Sequence, residues 1–203
     1  MWIKGTEDVS NIYIIKRFDA VMLIDPSYNL ETILEKTQGY KIQGILLTHA
    51  HHDHMGLIGK FDCPIYLHRA DYQLFINDDL NGYNEYKIER PYQVKDLFIK
   101  FVDDETLIPF MDGSIKVIHT PGHTKGSVCY LYRDSLYTGD TLFKDGIGRT
   151  DLPSGSSAQL HRSLKKLFSI VSAKTKVYPG HDEPSTIYEI KLKNKTVENI
   201  VKS

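Results

Sequence analysis

Cysteine is scarce in this chain: two occur in 203 residues, Cys63 and Cys129, each within an apolar, strand-like stretch. Two isolated thiols make no disulfide framework, so both are expected to be buried packing residues in a fold that rests on its own core. An excess of either charge is lacking too, with 25 lysines and arginines against 26 aspartates and glutamates. The near-neutral balance leaves no electrostatic footprint for nucleic acid or an acidic membrane and points to a small-molecule partner. No apolar run approaches a membrane span, and the start from Met1 to Asp8 lacks the basic-then-apolar order of a signal peptide. Internal repeats and low-complexity segments are also missing. These absences describe a soluble cytoplasmic protein, and the length suits a single domain over residues 1–203.

What is present is a succession of short strands and helices. Residues 12–17 and 20–25 read as a hairpin around Phe18-Asp19, closed by Asp25-Pro26. Asn29 can cap a helix over Leu30 to Lys36, with Leu30, Ile33 and Leu34 on one face and Gly39 at its end. Ile45 to Leu47 is a short buried strand, Gly56 to Lys60 a short helix, residues 64–68 a strand and residues 69–75 a helix. The polar, tyrosine-rich stretch from Asn77 to Tyr92 reads as an irregular insertion whose Tyr83, Tyr86 and Tyr92 either pack a surface loop or cover a site. Strands follow at 97–102, 114–119, 127–132, 135–137 and 175–178, with Asp112-Gly113 as a turn. Ser156 can cap a helix over 157–170, and a last helix spans Pro184 to Lys193. Lysines 191, 193 and 195 read as a solvated face. This order suits sheets covered by helices on their outer faces.

The segment Thr48-His49-Ala50-His51-His52-Asp53-His54 follows the strand at 45–47 and places four histidines and a carboxylate in seven residues. Imidazole nitrogen and carboxylate oxygen suit zinc, iron, nickel or manganese, and no cysteine stands nearby to make the site purely structural. Three later loops answer it: Pro121-Gly122-His123, Gly139-Asp140 and Pro179-Gly180-His181, each after a strand and a glycine. Glycine permits a tight turn and lets other groups approach closely. Five histidines and two aspartates exceed what one ion takes while leaving a position open for substrate. A pair of divalent ions roughly 3.5 to 4 Å apart would use them all.

The whole pattern resembles the metallo-β-lactamase superfamily. That resemblance implies an α+β protein, an αββα sandwich of two mixed sheets flanked by helices, with the site at one edge. It assigns His49, His51 and His123 to one metal, Asp53, His54 and His181 to another, and Asp140 as a bridge between them. His52 is left behind the ligands or facing solvent, and His119 near enough to His123 to help orient it. His68 and His161 read as ordinary.

Within the superfamily the segment from Gly139 to Phe143, with Gly146-Ile147-Gly148-Arg149-Thr150-Asp151, is most similar to short glyoxalase II-like hydrolases. The likeness implies hydrolysis of a thioester such as a lactoyl thiol, with two divalent ions, zinc before iron or manganese, and with Asp53 orienting the attacking hydroxide. Arg149 stands where longer enzymes have a substrate-contacting lysine, and would either grip substrate or pair with Asp151. No counterpart of the helical C-terminal domain that grips glutathione in those enzymes is expected here. Persulfide dioxygenases, which use a single iron held by residues matching His49, His123 and Asp140, are similar in the same segments. β-Lactam hydrolysis, RNA cleavage and metal binding without catalysis rank below both.

Overall fold

Alternation at period two builds the first half of the molecule, a computed structural model that describes residues 1–6 and 8–202. Strands β1 (Trp2–Ile3), β2 (Ile12–Arg17), β3 (Ala20–Ile24), β4 (Lys41–Leu46), β5 (Ile65–His68) and β6 (Ile99–Val102) lie side by side in that order. The pairs β1–β2 and β2–β3 are antiparallel and the remaining pairs parallel, so the sheet is mixed. Successive side chains of a strand point to opposite faces. Ile12, Ile14, Val21 and Leu23 accordingly enter one core, which also holds Ile33 of α1 (Leu30–Thr37), Met55 of α2 (His52–Met55) and Leu74 of α3 (Tyr72–Ile76). Tyr13, Ile15, Met22 and Ile24 enter another.

That second core is shared with the second sheet, formed by β7 (Leu107–Phe110), β8 (Gly113–His119), β9 (Val128–Tyr132), β10 (Ser135–Gly139), β11 (Lys176–Pro179) and β12 (Ser185–Thr186). Here only β10–β11 is parallel. Phe110, Val117 and Tyr130 face the first sheet. Ile118, Cys129, Leu136 and Val177 face outward onto α4 (Ser157–Ile170), α5 (Ile187–Lys193) and α6 (Lys195–Lys202). Three apolar layers separate four layers of structure: the expected αββα sandwich of two mixed sheets. Cys63 and Cys129 are free and buried, and among the described residues no helix is long and apolar enough to cross a membrane.

Several local expectations are corrected. The helix expected at 56–60 lies earlier, over His52–Met55, so the metal-type residues themselves form the turn; only a 3₁₀ turn occupies Ile58–Lys60. Leu34 is half exposed whereas Ile33 is fully buried, which narrows the apolar face of α1 to less than its spacing indicates. The last helix begins at Ile187 behind a Thr186 cap and stops at Asn194. Asn194 uses its side chain to accept from Val197 N–H at 3.0 Å and to donate to Gly146 O at 3.0 Å. It therefore starts a further helix, α6, instead of continuing the first. The unforeseen β7 contains Pro109 and is an edge strand, where a missing N–H costs no ladder bond.

The layering makes a stability prediction. Leu164 of α4 is fully buried against the second sheet, so Leu164→Ala should lower unfolding stability by about 3 kcal/mol through lost transfer energy and a residual cavity. Denaturant unfolding measures it through the midpoint at unchanged slope.

Candidate metal centre

The carboxyl ends of the parallel strands β3 and β4 meet the loops after β8, β10 and β11 at one edge of the sandwich, where open sheets commonly bind ligands. His49 and His51 follow β4, and Asp53 and His54 lie in α2; His123 lies in the loop after β8, Asp140 directly after β10, and His181 two residues after β11. Seven side chains expected from the sequence are thus brought together. They form three overlapping groups, His49–His51–His123, His49–His54–Asp140 and Asp53–His54–His181, with the ligand atoms of each group within 4.8 Å of one another.

Outer hydrogen bonds decide which nitrogen of each ring faces the centre. Asp25 at the end of β3 is buried; its Oδ1 accepts from Thr48 N–H at 2.8 Å and its Oδ2 from the Thr48 hydroxyl at 2.7 Å and His54 Nδ1–H at 2.9 Å. Because the Thr48 proton goes to Asp25, Thr48 Oγ1 accepts from His49 Nδ1–H at 3.1 Å. His123 Nδ1–H donates to Arg149 O at 2.8 Å. Three rings therefore turn Nε2 inward, each oriented by a partner on its far side.

Inward, the donors are crowded and unsatisfied. His123 Nε2 lies 3.2 Å from His49 Nε2 and 3.0 Å from His51 Nδ1. With the His49 and His123 protons on Nδ1, their two Nε2 atoms meet lone pair to lone pair. Tetrahedral zinc with nitrogen ligands at about 2.0–2.1 Å would set ligand atoms about 3.3 Å apart. His54 Nε2 and Asp140 Oδ1 are buried, 3.4 Å apart and without a hydrogen-bond partner. Asp140 Oδ2 is 3.7 Å from both His123 Nε2 and His181 Nε2, so one carboxylate reaches both sides of the cluster. The donor set fits divalent cations.

Electrostatics agrees. Burial, with the neighbouring imidazoles, lowers the pKa of His49 well below the ordinary value, and burial takes that of His51 to about 3, so both rings are neutral donors at pH 7. On the other side, burial opposes charge on His54, but Asp53, Asp140 and Asp25 outweigh it and raise its pKa well above the ordinary value. His181 is likewise raised despite burial, chiefly by its hydrogen bond to Asp53. Asp53 and Asp140, though buried, are lowered by these histidines. A proton on His54 thus occupies the place of positive charge that a cation would take, and the same carboxylates favour one on His181.

Two buried carboxylates outside the seven expected donors hold the centre together. By sequence alone Asp25 is only the end of a hairpin. Asp71, fully buried between β5 and α3, accepts from Ala50 N–H at 3.2 Å, Gly126 N–H at 2.6 Å and the Thr124 hydroxyl at 2.8 Å. It joins the His49–His51 loop to the His123 loop. The available signal was their position, each just after a parallel strand at the same end as the histidine cluster. Gly180 serves close approach: a Cβ there would lie 2.1 Å from Asp140 Oδ1 and 2.8 Å from His54 Cε1.

His119 does not orient His123, contrary to expectation: its Nε2 contacts Lys125 O at 2.9 Å and its ring stacks on His68 at 3.9 Å. His52 stays off the centre and stacks on Tyr86, with centroids 4.8 Å apart. Tyr83 and Tyr92 are buried in the outer core of the first sheet, whereas Tyr86 is exposed. A cavity of about 810 Å³ opens over the cluster, lined in part by Leu80, Tyr86, Ile88, Phe143, Ile147 and Arg149. Arg149 sits at this cavity and is paired bidentately with Asp151 at 2.8 and 2.7 Å.

Two outcomes follow. Metal loading should expel at least one proton at pH 7, because the His54 pKa is held well above the ordinary imidazole value and that of His181 is raised in the same direction; affinity then falls as pH drops. Calorimetric titration in buffers of different ionisation enthalpy reads the release, and heats independent of buffer contradict it. Asp71→Ala should weaken metal binding about tenfold or more in a chelator competition, since the two ligand loops lose their common acceptor.

Comparisons with known proteins place these observations. A family model for the metallo-beta-lactamase superfamily matches residues 5–181. The chain is 38% identical over 174 residues to an uncharacterized protein of Aquifex aeolicus (strain VF5), covering 82% of this chain and 80% of the relative. It is 33% identical over 181 residues to the probable metallo-hydrolase YqgX of Bacillus subtilis (strain 168), covering 85% and 84%. The probable polyketide biosynthesis zinc-dependent hydrolase PksB of the same organism is 28% identical over 169 residues, covering 80% and 67%. Among solved structures, BLEG-1 B3 metallo-beta-lactamase matches with a TM-score of 0.85 at 27% identity over 97% of this chain and 98% of that one. TTHA1623 in a di-iron-bound form matches at 0.82 and 29% over 97% and 99%. The family model and the relatives above 30% identity agree with the αββα architecture and the donor cluster: the chain belongs to the metallo-beta-lactamase superfamily.

Proposed function

We propose that the chain is a glyoxalase II-like thioester hydrolase of the cytoplasm, acting on a small 2-hydroxyacyl thiol, of which a lactoyl conjugate is the simplest, and needing no nucleic-acid or membrane partner. The observation that carries this reading is a complete second donor group, Asp53–His54–His181, beside His49–His51–His123. A second ion would use it, whereas a single ion held by His49, His123 and Asp140 would leave it unfilled. His49, His51 and His123 would hold one divalent ion, Asp53, His54 and His181 a second, with Asp140 reaching both. Two such ions would supply Lewis acidity toward a carbonyl oxygen and would lower the pKa of water to about 7, the chemistry that hydrolysis at neutral pH needs. Zinc is the first choice, in keeping with the name of the relative PksB.

The chain's own residues position the reaction. Asp53 Oδ2 engages His181 Nε2 at 3.2 Å, while Oδ1 lies 3.9 Å from His52 Nδ1 and is left to accept a hydrogen bond from the attacking water and fix its direction. The water oxygen adds to the thioester carbon, the C–S bond breaks, and the products are a carboxylic acid and a thiol. A thiolate leaves without a general acid, which suits a centre whose inward-facing groups are all metal donors. The cavity above the cluster has room for the acyl group and a thiol arm, with Arg149 at its wall.

Two specific likenesses keep rivals in the test. BLEG-1 favours β-lactam hydrolysis, and the di-iron form of TTHA1623 favours iron, which held singly by His49, His123 and Asp140 would suit oxygenation of a persulfide. The metal-loaded protein should hydrolyse lactoyl thioesters, consume no oxygen with a thiol persulfide, and leave a chromogenic cephalosporin essentially untouched. Asp53→Ala should lower thioester turnover by at least about a hundredfold. Undiminished turnover in that variant, or persulfide-dependent oxygen uptake by the parent protein, contradicts the reading.

A further inference from the structure

The walls of the cavity above the donor cluster carry a charge pattern of their own. Outside the seven donors, three carboxylates line it: Asp8, Glu85 and Asp182. Arg149 is the only lysine or arginine among its described lining residues. That guanidinium is engaged bidentately by Asp151 and also feels Glu85 across the opening. Among the described lining residues no second lysine or arginine is at hand to hold a carboxylate or phosphate. Because the whole chain is nearly neutral, with 25 basic against 26 acidic residues, this acidity is local to the opening.

Between the carboxylates the surface is apolar. Leu80, Tyr86 and Ile88 come from the insertion, and Phe143, Ile147 and Leu152 from the loops after β10. Leu80, Tyr86 and Ile88 are 38%, 58% and 47% exposed, a grouping that soluble surfaces usually avoid unless something binds there. The insertion is held in place. Tyr83 and Tyr92 are buried in the core, His52 N–H donates to Asn81 O at 2.9 Å, and the His52 ring stacks on Tyr86. Gly82, at φ +99°, leaves no room for a Cβ against His52 Nδ1.

We infer that this outer wall selects the thiol arm of the substrate, taking apolar arms that are uncharged or cationic and rejecting anionic ones. The inference rests on the thioester reading and deepens it by naming the class of carrier. Any cations would lie at the buried end, where Asp53 and Asp140 offset about half of the charge of two divalent ions, whereas the arm lying along the wall meets Asp8, Glu85 and Asp182 directly. Repulsion of this kind acts through solvent and is screened by salt.

The test uses one lactoyl group on three arms of similar length: thiocholine (cationic), N-acetylcysteamine (neutral) and 3-mercaptopropionate (anionic), with glutathione as a larger anion. At low salt kcat/KM for the cationic and neutral arms should exceed that for 3-mercaptopropionate by about tenfold, and roughly 0.5 M salt should shrink the ratio to a few-fold. Glu85→Lys should raise the anionic arm relative to the neutral one by about fivefold. The inert S-propyl thioethers of the same arms, titrated calorimetrically into the protein with and without added zinc, should bind in the same order. Equal or better use of 3-mercaptopropionate or glutathione, or a ratio indifferent to salt, overturns the inference. If no lactoyl thioester is turned over, the hydrolysis reading falls, while the order of thioether binding still upholds or overturns the charge preference.

Discussion

Asp25 is the point at which the fold and the metal-type cluster become one object. Its carboxylate leaves the end of β3 fully buried and takes Thr48 N–H, the Thr48 hydroxyl and His54 Nδ1–H together. Through Thr48 it also sets the tautomer of His49. A buried carboxylate is tolerated only when its lone pairs are satisfied, so these bonds are compulsory, and they turn two Nε2 atoms toward the same space. Asp71 does the same for the loops of His51 and His123. The cluster is held open from outside, which lets its inner atoms remain crowded and unpaired.

The sandwich supplies the convergence. Parallel β3 and β4 in one sheet and parallel β10 and β11 in the other deliver their carboxyl ends to one edge, and the inter-sheet core of Tyr13, Met22, Phe110 and Tyr130 fixes the spacing between them. Tyr13 and Asn11 reach from the first sheet to the His181 loop, donating to Pro179 O at 2.7 and 3.1 Å. Loops tied so closely to strands resemble a rigid scaffold more than a flexible surface, as preorganised metal chemistry requires.

Much of this was legible in the sequence because period-two alternation and glycine-bounded turns are local signals. The seven donors could be read from four short segments, and the structure gathers them at one place. What escaped was non-local. Asp25 and Asp71 look like ordinary turn and helix residues until the fold brings histidine rings and amide N–H groups to them. β7 was hidden by Pro109, harmless only because the strand is at an edge. The break at Asn194 depends on Gly146 O, 48 residues away in sequence. His119 lies four residues from His123, yet its ring turns to His68 on another strand.

The chemistry turns on whether the donors divide between two ions. His49, His51 and His123 form a compact nitrogen set, Asp53, His54 and His181 a mixed one, and Asp140 lies within 3.7 Å of His123 and His181. The most direct measurement is a crystal structure of the zinc-loaded protein with anomalous scattering recorded at the metal edge. Two peaks, one at each triad and both within reach of the Asp140 carboxylate, are the predicted result. A single peak at full zinc loading, with Asp53 and His181 uncoordinated, would contradict it.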